Sequence, residues 1–227
     1  MSMPSSCPSL PPVKSDYVPT GVITNTSGFD VYSIVPDSFA EAKTKNAIIV
    51  CYDVHRFYEN VKQFCDILGT QGFLVVLPDY FQGESWTNEE HKKDPQNPWQ
   101  YVRDWLIKNA SPEKVHELTT QVVEHLRKEY KVQNFGFVGF FGDFKECQGP
   151  IAFLPSRDES DLESEFVKNP ILTSKPFASK IVHHRFDMHH GFAGAKADFK
   201  DPVNVEAVNE AISISVKFFS ENLGVKY

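Results

Sequence analysis

The chain has 227 residues, enough for one large domain or two small ones. Hydrophobic residues make up 41% and charged residues 23%, an ordinary globular make-up that excludes a mostly disordered protein. The net charge of −7 (23 basic against 30 acidic side chains) argues against a nucleic-acid partner, and the apolar runs are far shorter than the roughly 20 residues a bilayer span takes.

Residues 1–18 read as a mobile tail, Ser- and Pro-rich at its start, and 19–227 as one domain. The N-terminus has neither a basic start nor an apolar stretch, so the expected location is the cytoplasm. Cys7, Cys51, Cys65 and Cys147 fall at irregular spacings with no CxxC, which speaks against a zinc ribbon or redox pair. Cys51 and Cys65 sit in apolar patterns and read as buried thiols in a reducing compartment.

A hairpin opens the domain: 21–26 and 29–35 are rich in β-formers and flank Ser27-Gly28, a turn signal. The apolar run 47–52 predicts a buried strand. Phe57, Val61, Phe64, Cys65 and Leu68 then recur at helical spacing, with Gly69 or Gly72 as the stop, and 73–77 predicts another strand closed by Pro78. Strand, helix, strand implies a parallel pair covered by helices. Residues 82–98 are polar and rich in turn formers, so they read as a loop over the strand ends. A short helix follows over 98–106. Ser111-Pro112 caps a longer one, whose apolar face is Val115, Leu118, Val122, Leu126 and Tyr130. Three more strands for the main sheet are predicted at 135–140, 151–154 and 180–186. The last helix starts at Asp201-Pro202, carries the stripe Val205, Val208, Ile212, Val216, Phe219 and Leu223, and stops at Gly224. The expected fold class is α/β, doubly wound, with a mostly parallel sheet and helices on both faces. In such sheets ligands bind outside the carboxyl ends of the strands.

Three residues stand at strand ends: Asp53 after 47–52, Asp158 after 151–154, and His190 after 180–186 in the string His189-His190-Gly191-Phe192. An acid followed late in the chain by a histidine is the order of the α/β-hydrolases. There the histidine takes a proton from a nucleophile while the carboxylate fixes its tautomer and stabilises its charge. Spacing alone leaves open a plainer role for Asp158 in a turn or helix cap.

At this point the chain resembles the dienelactone hydrolase family, in its carboxymethylenebutenolidase-like branch. The resemblance rests on Ile48 through Asp53, on Gly72-Phe73 with Leu77-Pro78-Asp79-Tyr80-Phe81, and on Asp104-Trp105-Leu106. It continues through Gly136 to Phe140, Pro150 to Leu154 with Asp158, and His190-Gly191-Phe192. It implies hydrolysis of a small-molecule ester or lactone by a Cys, Asp, His triad, without cofactor or metal. It casts Asp158 as the acid, His190 as the base, Asp53 as an acidic neighbour of the nucleophile, and the backbone N–H of Val54 as an oxyanion donor. Trp86, Trp99, Trp105 and Tyr80 are candidate pocket walls, with packing an equally good role for aromatic residues there. Oligomeric state is left open.

One part of the pattern is missing. Where the family carries Gly-x-Cys-x-Gly directly after a strand, this chain reads Gly139-Phe140-Phe141-Gly142-Asp143, so the nucleophile position holds Phe141. Only residues 142–150 separate Phe141 from the next strand, whereas a parallel crossover needs about a dozen or more residues and usually a helix. The expectation is therefore a chain lacking the helix behind the elbow and part of one strand, as in a truncated isoform, and impaired as a catalyst. The alternative is an inactive family member that binds a small molecule or a protein. Cys147, after Lys145-Glu146, and Ser156, beside Asp158, are weaker candidate nucleophiles. His183, His184, His189 and His190 with Asp187 raise a metal reading, but adjacent strand residues point to opposite faces and no ligand motif appears, so no metal is expected.

Overall fold

A computed structural model of the chain describes residues 12–86, 98–139, 149–159, 168 and 170–224. Its main sheet has five strands: β1 (Val22–Thr26), β2 (Phe29–Ile34), β3 (Asn46–Cys51), β4 (Leu74–Pro78) and β5 (Asn134–Gly139). Their spatial order is β1-β2-β4-β3-β5. β1 and β2 form the predicted hairpin, and β2 also runs antiparallel to β4. The turn needs two left-handed residues, and Ser27 (φ 55°) and Gly28 (φ 97°) supply them. β3 lies between β4 and β5 and is parallel to both, so the centre of the sheet is parallel and its hairpin edge antiparallel.

The helices are α1 (Glu59–Thr70), α2 (Pro98–Asn109), α3 (Pro112–Glu129) and α4 (Pro202–Leu223). α1 begins two residues after Phe57, which packs against the core from the preceding loop. α2 continues three residues beyond its expected end. α3 starts where sequence places it, with the Ser111 hydroxyl accepting from the Lys114 N–H at 3.3 Å. α4 is capped at both ends: the Asp201 carboxylate accepts from Val203 N–H at 3.0 Å, and Gly224 closes it at φ 74°.

The two faces are covered unequally. On one face α4 lies against β5 so closely that a Cβ on Gly136 would meet the Phe219 ring at 2.6 Å, which is why this strand position holds glycine. On the other face lies α3, with Val122 and Leu126 facing Leu74 and Val76 of β4, and the Arg127 guanidinium 5.4 Å from the Phe135 ring. Phe137 is two residues on from Phe135 and so points to the same face, beyond the reach of α3, and is 57% exposed. Ile49, its neighbour across the β3–β5 pairing, is 1% exposed.

The strands predicted at 151–154 and 180–186 do not join the main sheet. They shorten to β6 (Ala152–Phe153) and β7 (Val182–His183), a separate parallel pair. The connection is short: residues 140–151 link β5 to β6, only the dozen or so that a crossover with its helix needs at the minimum. Among the described residues, β5 is therefore the last strand of its sheet. The two sheets still share one core, since Phe186, Met188 and Phe192 after β7 pack with Val50, Leu77 and Val208.

The tail expected over 1–18 is held to the domain over part of its length. Val13 N–H donates to Ala195 O at 3.0 Å, and the Tyr17 hydroxyl donates to the Asp66 carboxylate of α1 at 2.7 Å. These are backbone and single-group contacts that no hydropathy pattern announces. Among the described residues no helix is long and apolar enough to cross a membrane.

Candidate functional site

The β6–β7 pairing continues past the strands into two loops lying side by side. His184 N–H donates to Phe153 O at 3.0 Å, Phe186 N–H to Pro155 O at 2.8 Å, and Arg157 N–H to Met188 O at 3.0 Å. One loop carries Ser156, Asp158 and Glu159; the other carries His190. Gly191 turns the second loop at φ 82°, a left-handed conformation that favours glycine. The rings of Phe186 and Phe192 lie 4.9 Å apart beneath it.

The two predicted residues come together, but through the backbone: His190 N–H donates to the Asp158 carboxylate at 2.8 Å. The imidazole itself meets the neighbouring acid, with Nδ1 hydrogen-bonded to the Glu159 carboxylate. Glu159 was not singled out from the sequence. Its other oxygen accepts from Ser156 N–H at 2.7 Å and from the Ser156 hydroxyl. The sequence does hold a signal for this, since Ser156-x-x-Glu159 has the spacing by which a glutamate reaches back to the N–H of a serine three residues earlier. The Ser156 hydroxyl also accepts from Asp158 N–H at 3.2 Å, so this side chain organises the acid loop and is turned to the carboxylate. Arg185 fixes the loop from outside, donating to Arg157 O at 2.8 Å and Glu159 O at 2.7 Å.

Burial pushes the Glu159 carboxyl up, but the hydrogen bonds from His190 and Ser156 outweigh it, and its pKa lies below the ordinary glutamate value. Glu159 is therefore an ionised acceptor, and the His190 Nδ1–H donates to it. A proton held at Nδ1 leaves Nε2 as the nitrogen through which a general base works.

The loop after β3 forms a second cluster. The Asp53 carboxylate accepts from His55 N–H at 2.9 Å and Val54 O accepts from Trp86 N–H at 3.2 Å. Arg56, at φ 63°, turns its Nε to the buried Asp79 carboxylate at 2.9 Å, and Tyr52 donates to the same group at 2.7 Å. Burial raises the Asp79 pKa, yet the Arg56 and Tyr52 hydrogen bonds bring it below the usual aspartate value. Asp53 is thus engaged with its own turn while Asp79 ties the ends of β3 and β4 together.

Of the candidate pocket aromatics, Tyr80 and Trp86 are buried and Trp105 is half-buried. Phe81 and Trp105 pack edge to face at 4.7 Å, and Trp86 and Trp105 at 5.9 Å. These three packing residues hold the loop after β4 in place. The Trp99 side chain lies outside the described residues, as do Cys7, Phe141 and Cys147. Burial, and to a lesser extent Asp53, pushes the Cys51 thiol up to about 12, and burial also raises Cys65. Neither is a thiolate at neutral pH. Three of the four histidines take separate partners: His184 Nε2 lies 3.2 Å from Glu210, His189 Nε2 is 3.2 Å from Lys196 O, and His190 is on Glu159, while among the described residues the buried Nε2 of His183 has no hydrogen-bond partner. Among the described residues no group of three or more His, Cys, Asp and Glu is placed to hold a metal ion. A groove of about 670 Å³ lies between α1 and α4, and none of these residues lines it.

The pattern of the dienelactone hydrolase family matches residues 29–172, from β2 through the acid loop. The chain belongs to that family. A dienelactone hydrolase structure from Klebsiella pneumoniae superposes with a TM-score of 0.60 at 12% identity, over 90% of this chain and 100% of the other. The fold is that of an α/β-hydrolase. The carboxymethylenebutenolidase homolog of Pongo abelii is 28% identical over 108 residues, 47% of this chain and 38% of that protein. An AIM2 family protein of Schizosaccharomyces pombe is 23% identical over 248 positions, 92% of this chain and 98% of the other. That alignment is longer than the 227 residues available here, so at least about 20 of its positions face a gap in this chain.

Proposed function

We propose that this chain keeps the proton-relay half of a dienelactone hydrolase site and lacks the half that supplies the nucleophile. In the relay, His190 acts as the base, with Glu159 holding Nδ1 and Asp158 holding the His190 backbone. Asp53 and the Val54 N–H belong to the opposite wall, as acidic neighbour and oxyanion donor. A donor of that kind is worth about 3–4 kcal/mol of transition-state stabilisation where one is in place. The substrate class of a complete form is a small-molecule ester or lactone.

The observation that carries this reading is the end of the main sheet at β5. Among the described residues β5 is the last strand of its sheet, and its Phe137 is 57% exposed, which supports an uncovered face there. On this reading, a segment of roughly 30 residues bearing the elbow is absent by splicing or deletion, and Phe141 stands where the thiol belongs. Cys51 and Cys65, free thiols, support a cytoplasmic setting.

The test is hydrolysis of p-nitrophenyl acetate and an acetyl thioester by the wild type and by His190→Ala. Both proteins are expected to give the same slow, non-saturable rate. Saturable turnover that falls tenfold or more in His190→Ala overturns the proposal, because it would require a working nucleophile. Sequencing the transcript across residues 139–143 provides a separate check: an uninterrupted genomic reading frame there argues against an omitted segment.

A further inference from the structure

The turn that carries His190 is held from a direction that the relay does not explain. Asn60, the second residue of α1, is 0% exposed. Its side-chain amide nitrogen lies 2.6 Å from Ala197 O, 3.1 Å from Val13 O and 3.3 Å from Ala195 O. Two N–H groups thus serve three carbonyls, two in the segment that closes the His190 turn and one in the N-terminal strap. Val13 completes the link by donating its own N–H to Ala195 O at 3.0 Å. Further along, the strap is anchored to α1, with the Tyr17 hydroxyl and Thr20 N–H each 2.7 Å from the Asp66 carboxylate. On the far side of the turn, Asn204 donates to Phe192 O at 2.8 Å and accepts from Asp198 N–H at 2.9 Å.

We infer that Asn60 is a positioning residue: its buried amide joins the N-terminal strap to the 189–197 turn and so keeps the His190 imidazole on the Glu159 carboxylate. The inference rests on the reading of His190 and Glu159 as a relay pair. The physical argument is one of constraint. The acid loop is fixed by Arg185 and Ser156, but the histidine turn is a run of single turns, whose backbone needs outside partners to hold one geometry. Ala195 O keeps the Val13 N–H when the amide is lost, but Ala197 O, on a residue 0% exposed, loses the Asn60 donor, and a buried carbonyl without a donor is costly. Losing the amide therefore gives the turn a reason to rearrange so that water reaches the Ala197 oxygen. An imidazole on a short carboxylate contact is sensitive to such a shift. Among the described residues, the ionisable groups bonded to His190 are Asp158, at its backbone N–H, and Glu159, at Nδ1.

The experiment is proton and nitrogen NMR of the full chain with labelled histidine, reading the Nδ1-bound proton of His190 and the ring tautomer. In the wild type a carboxylate-bound Nδ1 proton is expected as a far-downfield, slowly exchanging resonance. In Asn60→Asp, which keeps the shape and removes the donors, that resonance is expected to be lost, while His116 and His125 on α3 keep their wild-type signals. Val13→Pro removes one strap N–H without touching α1 and is expected to broaden the same resonance, which serves if the Asn60 variant does not fold. Absence of the resonance in the wild type refutes the relay reading itself. Its presence there and unchanged persistence in both folded variants refutes the role of Asn60 alone.

Discussion

Phe137 offers a direct measure of whether the face beside α3 is bare. Truncating a fully buried phenylalanine costs about 3–5 kcal/mol, a transfer cost plus a cavity cost. Phe137 is 57% exposed, so less than half of that transfer area is at stake, and there is no closed cavity to leave behind. Phe137→Ser should therefore cost about 1–2 kcal/mol. Phe73, 1% exposed and edge-on to Phe219 at 6.2 Å, is the internal control, and Phe73→Ser should cost the full 3–5 kcal/mol or more. Urea denaturation followed by far-UV circular dichroism gives both values, provided the slope of the transition is unchanged. Each protein is measured at two concentrations a hundredfold apart, because a second copy covering β5 would make the wild-type midpoint rise with concentration. A Phe137→Ser cost equal to the Phe73 control, or a wild-type midpoint that depends on concentration, would refute the claim that this face is uncovered.

Two further outcomes follow from the titrating groups. The folded state holds Glu159 below its ordinary value of 4.5, so its contact with His190 and Ser156 adds stability above about pH 4.5 and loses it as the pH falls further. The gap in urea midpoint between wild type and Glu159→Gln should accordingly be fully present at neutral pH and close as the pH falls below 4.5; a gap independent of pH would show that the carboxylate is not engaged. Cys51 and Cys65, both kept protonated by burial, should resist iodoacetamide at pH 8 in the native protein and label fully in urea, as read by peptide mass spectrometry. Rapid native labelling at Cys51 would mean that the end of β3 is more open than the packing around Tyr52 allows.

Much of the architecture is legible in the sequence because it is locally encoded. Ser27-Gly28 fixes the hairpin through its backbone preferences, Ser111-Pro112 and Asp201-Pro202 start α3 and α4, and the short apolar runs mark β3 and β4 as buried on both faces. The pairing of β6 with β7 away from β5 is not locally encoded. It depends on how far residues 140–151 can reach, a question of chain length and not of composition. The choice of Glu159 over Asp158 at the imidazole is similar. Adjacent carboxylates look equivalent in a string, and the turn set by Ser156 decides which one reaches Nδ1 and which one meets the backbone. The aromatic residues near the strand ends suit a pocket wall or packing equally well in the string, and Trp86 and Trp105 pack on each other.

Among the described residues, the contacts that shape the His190–Glu159 pair come from outside the link between β5 and β6. Ser156 and Arg185 hold the acid loop, Asn204 and Asn60 hold the histidine turn, and Phe186 and Phe192 seat both loops on the common core. A cut between β5 and β6 leaves all of these intact. The elbow has no such independence, since it exists only where a strand passes sharply into a helix and that helix is packed on the sheet. Removing the helix removes the turn, the backbone donor within it and the cover over Phe137 in one step. The energetic consequence is confined to the same place: a bare aromatic face on the outermost strand, against a total stability of about 5–15 kcal/mol for a domain of this kind. On the proposed reading that a segment is absent after β5, its loss should be felt first as opening of that strand. Amide hydrogen exchange is expected to be faster at Phe137 and Val138 than at Ile48 and Val50, although β3 and β5 share one ladder.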